Sequence, residues 1–447
     1  MKLRNLMYAT MIACAFASCS KDDDPVVNPD GGDPEATATL DVKIATKDVA
    51  TKTAMPTNDK EIKSLKLVVF TPDNSNAYTV EAVGVVDGKG DQEKSVKTPV
   101  KPGVKKVIVL ANYSGTITPG VAMSTIVGAN GLSQDFTEEN TTNGFSMNSK
   151  IYDITVKESK TNYLGYGTGA ENDKEIYLTQ AGANPVQMYR NVAKVALKKL
   201  TFAVKSTNQY PGATLTPLRV FVLHAKTNTY LAPDATHNWA PTEKGTDVLI
   251  GSSVGEYADP WVLYMKTPNA DKSEKEAVYN YIDASVNGAP KYTNEPAYTY
   301  SATAAGKLTQ SGTYTPTATP FYVYENTANE DGYQTLLVVE ATFSFNDPNN
   351  NNQAIAETRY YPVAVGKDAD FTNLSTTDFN FTETGREKAG VLRNLSYEIT
   401  MTASGPGYKT PFGPKPDGEE GEGGDTFLDA QVKVVDFGTV TQEDDVE

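Results

Sequence analysis

The chain has 447 residues and a formal net charge of −16, length enough for two domains at about 100–200 residues each. The acidic excess argues against a nucleic-acid partner, because phosphate binding needs clustered Lys and Arg. Abundant Tyr, Thr, Val, Gly and Pro, without long stretches of helical period, favour an all-β extracellular protein.

Residues 1–18 read as a lipoprotein signal peptide. Lys2 and Arg4 give a basic start, residues 6–17 a short apolar core, and Phe16-Ala17-Ser18-Cys19 a small-residue processing box that makes Cys19 the lipidation site. The apolar core, at about a dozen residues, falls short of the roughly 20 that span a bilayer as a helix. Cys14 leaves with the signal, so Cys19 is the one cysteine of the exported chain and no intrachain disulfide is expected.

Residues 20–37, beginning Ser-Lys-Asp-Asp-Asp-Pro, have linker composition and tether lipid to domain. Then Ala38-Thr-Leu-Asp-Val-Lys-Ile44 has the period of a strand, with Leu40, Val42 and Ile44 on one face and Asp41 and Lys43 on the other. Residues 45–60 lack periodicity and read as an exposed, protease-accessible loop. The bond Lys52-Thr53 is the preferred cleavage position, with Lys47 the alternative, which makes 19–52 a propeptide.

Strands are expected over 65–70, 80–86, 105–111 and 151–156, with one short helix over 121–127. One long strand over 188–204 is expected to open a second domain, with the boundary near 185. It is followed by a strand over 218–224, a hairpin from strands 335–345 and 354–365 around the Asn-rich turn 346–353, and a strand over 392–403. The domains are thus 53–185 and 186–405, and 406–447 is a Gly/Pro/Glu spacer with a terminal strand.

That terminal strand carries Leu428, Ala430, Val432 and Val434 on one face and Asp429, Gln431 and Lys433 on the other. A lone amphipathic strand on a linker is not stable, so it either folds onto its own sheet or completes another molecule's. Ala430-Gln-Val-Lys-Val434 matches Leu40-Asp-Val-Lys-Ile44 in pattern, and the two fit the same groove. If cleavage at Lys52 removes the first strand, the vacated sheet invites strand addition from a neighbour, and head-to-tail repetition gives a fibre. Four aliphatic side chains at roughly 1.5–3 kcal/mol each supply on the order of 6–10 kcal/mol before ordering costs. A spacer of about twenty residues extends to roughly 65 Å.

Enzymatic chemistry finds no support. His224 lies on an apolar strand pattern and His237 in a Pro/Asn loop, too few and unpatterned for a metal site or a triad. Gly165-Tyr-Gly-Thr-Gly169 has the look of a phosphate loop but lacks the flanking strand and helix, and reads as a plain loop. Asp347-Pro-Asn-Asn-Asn-Asn has one carboxylate where a calcium loop needs several, and reads as a hairpin turn. Tyr residues over 292–300 leave open an alternative, a monomeric surface lipoprotein that binds glycans through exposed aromatics.

Several segments together resemble the fimbrillins, the FimA-like type V pilins of Bacteroidales bacteria. They are the Cys19 signal with its Ser-Lys-Asp-Asp-Asp, Val107-Ile-Val-Leu-Ala-Asn112, Phe145-Ser-Met147 and Arg190-Asn-Val-Ala-Lys194. Phe321-Tyr-Val-Tyr-Glu-Asn326, Thr335-Leu-Leu-Val-Val339, Tyr360-Tyr-Pro362, Leu392-Arg-Asn-Leu-Ser-Tyr397 and Gly405-Pro-Gly407 follow in order. The resemblance implies two tandem transthyretin-like β-sandwich domains and export as an outer-membrane lipoprotein. It also implies removal of the first strand and donor-strand polymerisation into a cell-surface fimbrium with other copies of the chain and with tip and anchor subunits. Cofactors and metals are not implied. Two features depart from the family pattern: Lys stands where cleavage commonly follows Arg, and Phe437 occupies the donor region's usual Trp-like position. The appended terminal strand favours a shaft subunit.

Overall fold

In a computed structural model the chain is described over residues 36–46, 61–87, 93–233, 299–366, 390–408 and 428–436, apart from a few residues within them, and at 249–250, 267–268 and 275–276. The described residues are almost wholly β. Among them no helix is long and apolar enough to cross a membrane.

In the N-terminal half the strands are β1 (Ala38–Thr46), β2 (Ser64–Pro72), β3 (Tyr78–Asp87), β4 (Glu93–Val100), β5 (Gly103–Ala111), β6 (Ser133–Asp135), β7 (Met147–Asn148), β8 (Tyr152–Val156), β9 (Thr161–Leu164), β10 (Glu175–Leu178) and β11 (Val186–Arg190). Hydrogen bonding runs β10-β9-β1-β11-β7-β5-β2-β3, with β4 on β1 and β8 on β5. The continuous apolar runs of β2 and β5 are explained by burial on both faces. Leu65, Leu67 and Val69 face one core with Val107, Val109 and the β1 aliphatics. Val68, Phe70, Ile108 and Leu110 face a second core closed by Ile117, Met123, Ile126 and Val127. The helix expected over 121–127 is a single 3-10 turn, Met123–Thr125.

The long strand expected over 188–204 is two strands. β11 ends at Arg190 and pairs with β1 and β7, whereas β12 (Val192–Phe202) starts the next sheet. Asn191 breaks the run: its backbone N–H donates to Ser146 O at 3.0 Å, outside either ladder. An uninterrupted aliphatic pattern masks such a change of sheet, because both segments are buried.

The C-terminal half adds β13 (Thr214–Leu223), β14 (Thr299–Ser301), β15 (Thr313–Tyr314), β16 (Phe321–Tyr324), β17 (Leu336–Asp347), β18 (Gln353–Ala364), β19 (Leu395–Ala403) and β20 (Leu428–Asp436). One sheet is ordered β15-β12-β19-β20 with β16 on β12, the other β14-β13-β17-β18. The two enclose a core that includes Val195, Leu200, Phe202, Phe221, Val338, Tyr397 and Ile399. The Asn-rich segment is the β17–β18 turn, where Asp347 Oδ1 accepts from Asn349 N at 2.9 Å. Asn351 and Asn352 there take positive φ, which Asn tolerates better than other side chains.

Candidate functional site

β1 is the first of the described strands in chain order and also one of the most enclosed. It runs antiparallel to β4 from Ala38↔Val100 to Ala45↔Glu93. On its other edge it lies parallel to β9 (Thr39↔Thr161 to Val42↔Leu164) and then to β11 (Ile44↔Val186 to Thr46↔Met188). Leu40, Val42 and Ile44 are fully buried, against a core that includes Val96, Val100, Leu164, Val186 and Met188. Burying three such side chains contributes roughly 5–9 kcal/mol. Taking β1 away would open the ladder edges of β4, β9 and β11 at once.

The rim of this slot is built by polar groups. Asn162, itself fully buried, donates to Thr39 O at 3.3 Å and Lys157 O at 3.0 Å and accepts from Lys157 N at 2.8 Å, which shapes the turn beside the strand. On the outward face Tyr166 Oη donates to Asp41 Oδ1 at 2.7 Å, and the Ser95 side chain of β4 bonds the same hydroxyl. Lys43 Nζ stands 5.9 Å from the Tyr166 ring centroid. Burial raises the Asp41 carboxyl above the usual carboxylate range, opposed by the Tyr166 hydrogen bond and by Lys97. Burial likewise pushes the Tyr166 hydroxyl up to about 12.

At the other end of the chain, β20 lies on its own chain's β19. The antiparallel register sets Leu428, Ala430, Val432 and Val434 opposite Ala403, Met401, Ile399 and Tyr397, the buried row of β19. Of the two addresses the sequence allows this strand, the cis address is the one occupied, at a sheet edge. Cys19, Lys47, Lys52, Thr53 and Phe437 lie outside the described residues.

Other candidate groups take structural places. His224 is fully buried at the end of β13, with Nδ1 3.1 Å from Gln334 O, and burial drops its imidazole to about 4. His237 lies outside the described residues. Among the described residues no three His, Cys, Asp or Glu side chains converge as metal ligands. Of the tyrosines over 292–300, Tyr300 stacks on the core residue Phe321 with ring centroids 5.5 Å apart.

Sequence reasoning missed β4, Asn162 and Tyr166. In β4, Val96 and Val100 carry the strand alternation, but Pro99 and flanking Lys residues obscure it. The signal for Tyr166 was the glycine spacing of its loop, read only against phosphate-binding patterns.

This all-β architecture, with β1 enclosed between neighbouring strands, has counterparts among solved structures. The crystal structure of a fimbrilin (FimA) from Porphyromonas gingivalis W83 shares it with a TM-score of 0.56 at 17% identity, over 91% of this chain and 99% of that one. Residues 37–190, from β1 to the end of β11, match the family described as "Major fimbrial subunit protein (FimA)". Two relatives from Porphyromonas gingivalis are "Major fimbrium subunit FimA type-3", 23% identical over 93% of this chain and 94% of the relative, and "Major fimbrium subunit FimA type-2", 24% identical over the same shares. Over these stretches the chain is similar to the FimA major fimbrial subunits, as its ordered motifs indicated.

Proposed function

We propose that this chain is a structural subunit of a cell-surface fimbrium, of shaft type, with no enzymatic role. It is exported as a lipoprotein through Cys19, cut near Lys52 so that β1 leaves with the propeptide, and polymerised when the terminal strand of one copy fills the vacated slot of the next. Two β-sandwich domains, joined where β11 passes to β12, make up the body of each subunit. Tip and anchor subunits are its further partners.

The observation that carries this reading is the placement of β1. A strand followed by a Lys-bearing segment has its inward residues Leu40, Val42 and Ile44 fully buried and is bonded along both edges, so its excision creates a vacancy that only another strand can fill. In the uncut chain the slot is full, and β20 is stored on β19. Cleavage therefore acts as the trigger, and the stored strand changes its address from cis to trans.

Sequencing the protein of isolated surface fibres tests it. The expected start is near Thr53; assembled fibres that begin at Cys19 would defeat the exchange. Deleting 427–447 is expected to leave a folded monomer that does not polymerise, and undiminished fibres from that deletion would defeat the donor role.

A further inference from the structure

The loop 165–169 lies across β1. Tyr166 follows the end of β9, and its hydroxyl reaches both Asp41 on β1 and Ser95 on β4, while Lys43 stands over its ring. Gly165 makes the crossing possible. Its φ is +90°, and a Cβ there would stand 2.2 Å from Lys43 O, so only glycine lets the loop press this closely on the strand's backbone. Tyr166 thus touches two outward positions of β1, an acceptor at 41 and a cation at 43.

We infer that Tyr166 fixes the register of whichever strand fills the β1 slot by reading an acceptor followed two positions later by a cation. The strand it reads in assembly is Leu428–Asp436 of a second copy of this chain. This rests on the strand-exchange reading above and adds to it a specificity-determining residue.

Both strands are nine residues long. Laid in the direction of β1 with Leu428 at the place of Ala38, the incoming strand puts Leu428, Ala430, Val432 and Val434 on the inward positions. Gln431 then falls at the place of Asp41 and Lys433 at the place of Lys43. Gln431 offers the Tyr166 hydroxyl an acceptor without a buried carboxylate, and Lys433 restores the cation over the ring.

A slip of one residue inverts the faces and is excluded by the core. A slip of two that brings Asp436 to the place of Ile44 buries a carboxylate and sets Lys433 opposite Lys97. The remaining slip is the real competitor. It lays Leu428 on Leu40 and Asp429 on Asp41, and its inward row stays apolar except for Thr426. The core separates this slipped register only weakly from the one with Leu428 at the place of Ala38. They differ at the Tyr166 ring, which meets Lys433 in one and the uncharged Gln431 in the other.

Disulfide trapping in fibres assembled from the full chain tests this. Thr39 pairs with Thr161, so Thr161→Cys with Asp429→Cys reports the first register and Thr161→Cys with Phe427→Cys the slipped one. In cis β20 lies on β19, so a ladder of covalent multimers arises only from exchange between copies. With Tyr166 present, the first pair is expected to give the ladder. Tyr166→Leu is expected to lower the ratio of first to slipped ladders roughly tenfold, as is Lys433→Gln, while Lys433→Arg restores it. A ratio unmoved by both Tyr166→Leu and Lys433→Gln overturns the role of Tyr166 and leaves exchange standing. No ladder from either pair in fibres that retain Tyr166 overturns exchange itself.

Discussion

Arg393 Nη1 donates to Asn191 Oδ1 at 2.8 Å, placing a buried guanidinium on the residue where the chain leaves β11 and enters β12. Arg393 also bonds Glu325 Oε2 at 3.0 Å, Tyr230 O at 3.0 Å and Thr229 Oγ1 at 3.2 Å. From Asn191 the network continues through Nδ2 to Ser146 Oγ at 2.8 Å. Ser146 donates from its backbone N to Glu139 Oε2 at 2.7 Å and from its hydroxyl to Glu139 Oε1, which also accepts from Tyr324 at 2.9 Å. Polar groups from both halves of the chain meet here out of contact with water, where each satisfied bond is costly to break.

Arg393→Met is therefore expected to destabilise the protein by about 3–5 kcal/mol, the usual consequence of removing one member of a buried ion pair. Burial already raises the Glu325 carboxyl, and Arg393 is what holds it down. Without Arg393 it rises further, so the loss should shrink as pH is lowered and the carboxyl takes up a proton. Urea unfolding at pH 5 and pH 8 measures this, and adding Glu325→Gln should recover part of the loss at pH 8. Equal losses at both pH values would mean that no buried charge had been left behind.

His224 predicts a second pH dependence, of opposite sense. Its folded value of about 4 lies below the ordinary 6.5, so between these values the unfolded chain binds a proton that the folded one does not. Stability conferred by the neutral imidazole is complete above about 6.5 and is lost as pH falls towards 4, by about 3 kcal/mol at most. His224 has φ 55°, a conformation Asn accepts. His224→Asn is expected to flatten this part of the stability profile in denaturant titrations from pH 7 to pH 4. An unchanged slope would assign the pH dependence to other groups.

Asp41 gives a smaller effect at the slot itself. Its carboxyl is raised mainly by burial, so ionisation at neutral pH opposes the seating of β1, and seating strengthens as pH falls towards the raised value. Asp41→Asn keeps an acceptor for Tyr166 and removes the charge. Hydrogen exchange of the β1 amides is expected to slow in this variant at pH 7 and to lose its dependence on Asp41 ionisation. Faster exchange at pH 7 would show that attraction to Lys97 outweighs burial.

The strands whose alternation or apolar runs are strong, such as 65–70, 105–111 and 335–345, were legible because burial of at least one face imposes a period on the sequence. The removable-strand residues Leu40, Val42 and Ile44 were legible for the same reason, and so was the likeness between that strand and residues 428–436. The break at Asn191 was not, since Val186 to Val195 is buried almost throughout and the turn is held by contacts from residues 146 and 393, remote in sequence. Tyr166 was hidden for a similar reason. A single aromatic residue in a polar loop has no period, and its meaning comes from Asp41, 125 positions away.

Two glycines separate local strain from close approach at the slot. Gly103 and Gly165 both have positive φ, +114° and +90°, but a Cβ at Gly103 meets nothing within 4 Å whereas at Gly165 it meets Lys43 O at 2.2 Å and Val186 N at 3.2 Å. Gly103→Ala should therefore cost only the conformational strain of a side chain at positive φ, about 1–3 kcal/mol. Gly165→Ala carries a comparable strain and in addition drives a methyl group into the backbone of β1, so its cost should be the larger. The two should also differ in where the protein loosens. With Gly165→Ala, exchange of the β1 amides should accelerate more than exchange in β2 or β5, because the loop can relieve the clash only by lifting off β1 or displacing it. With Gly103→Ala, protection should fall evenly with global stability. Equal unfolding losses and equal exchange patterns for the two variants would show that the loop 165–169 exerts no particular hold on the first strand.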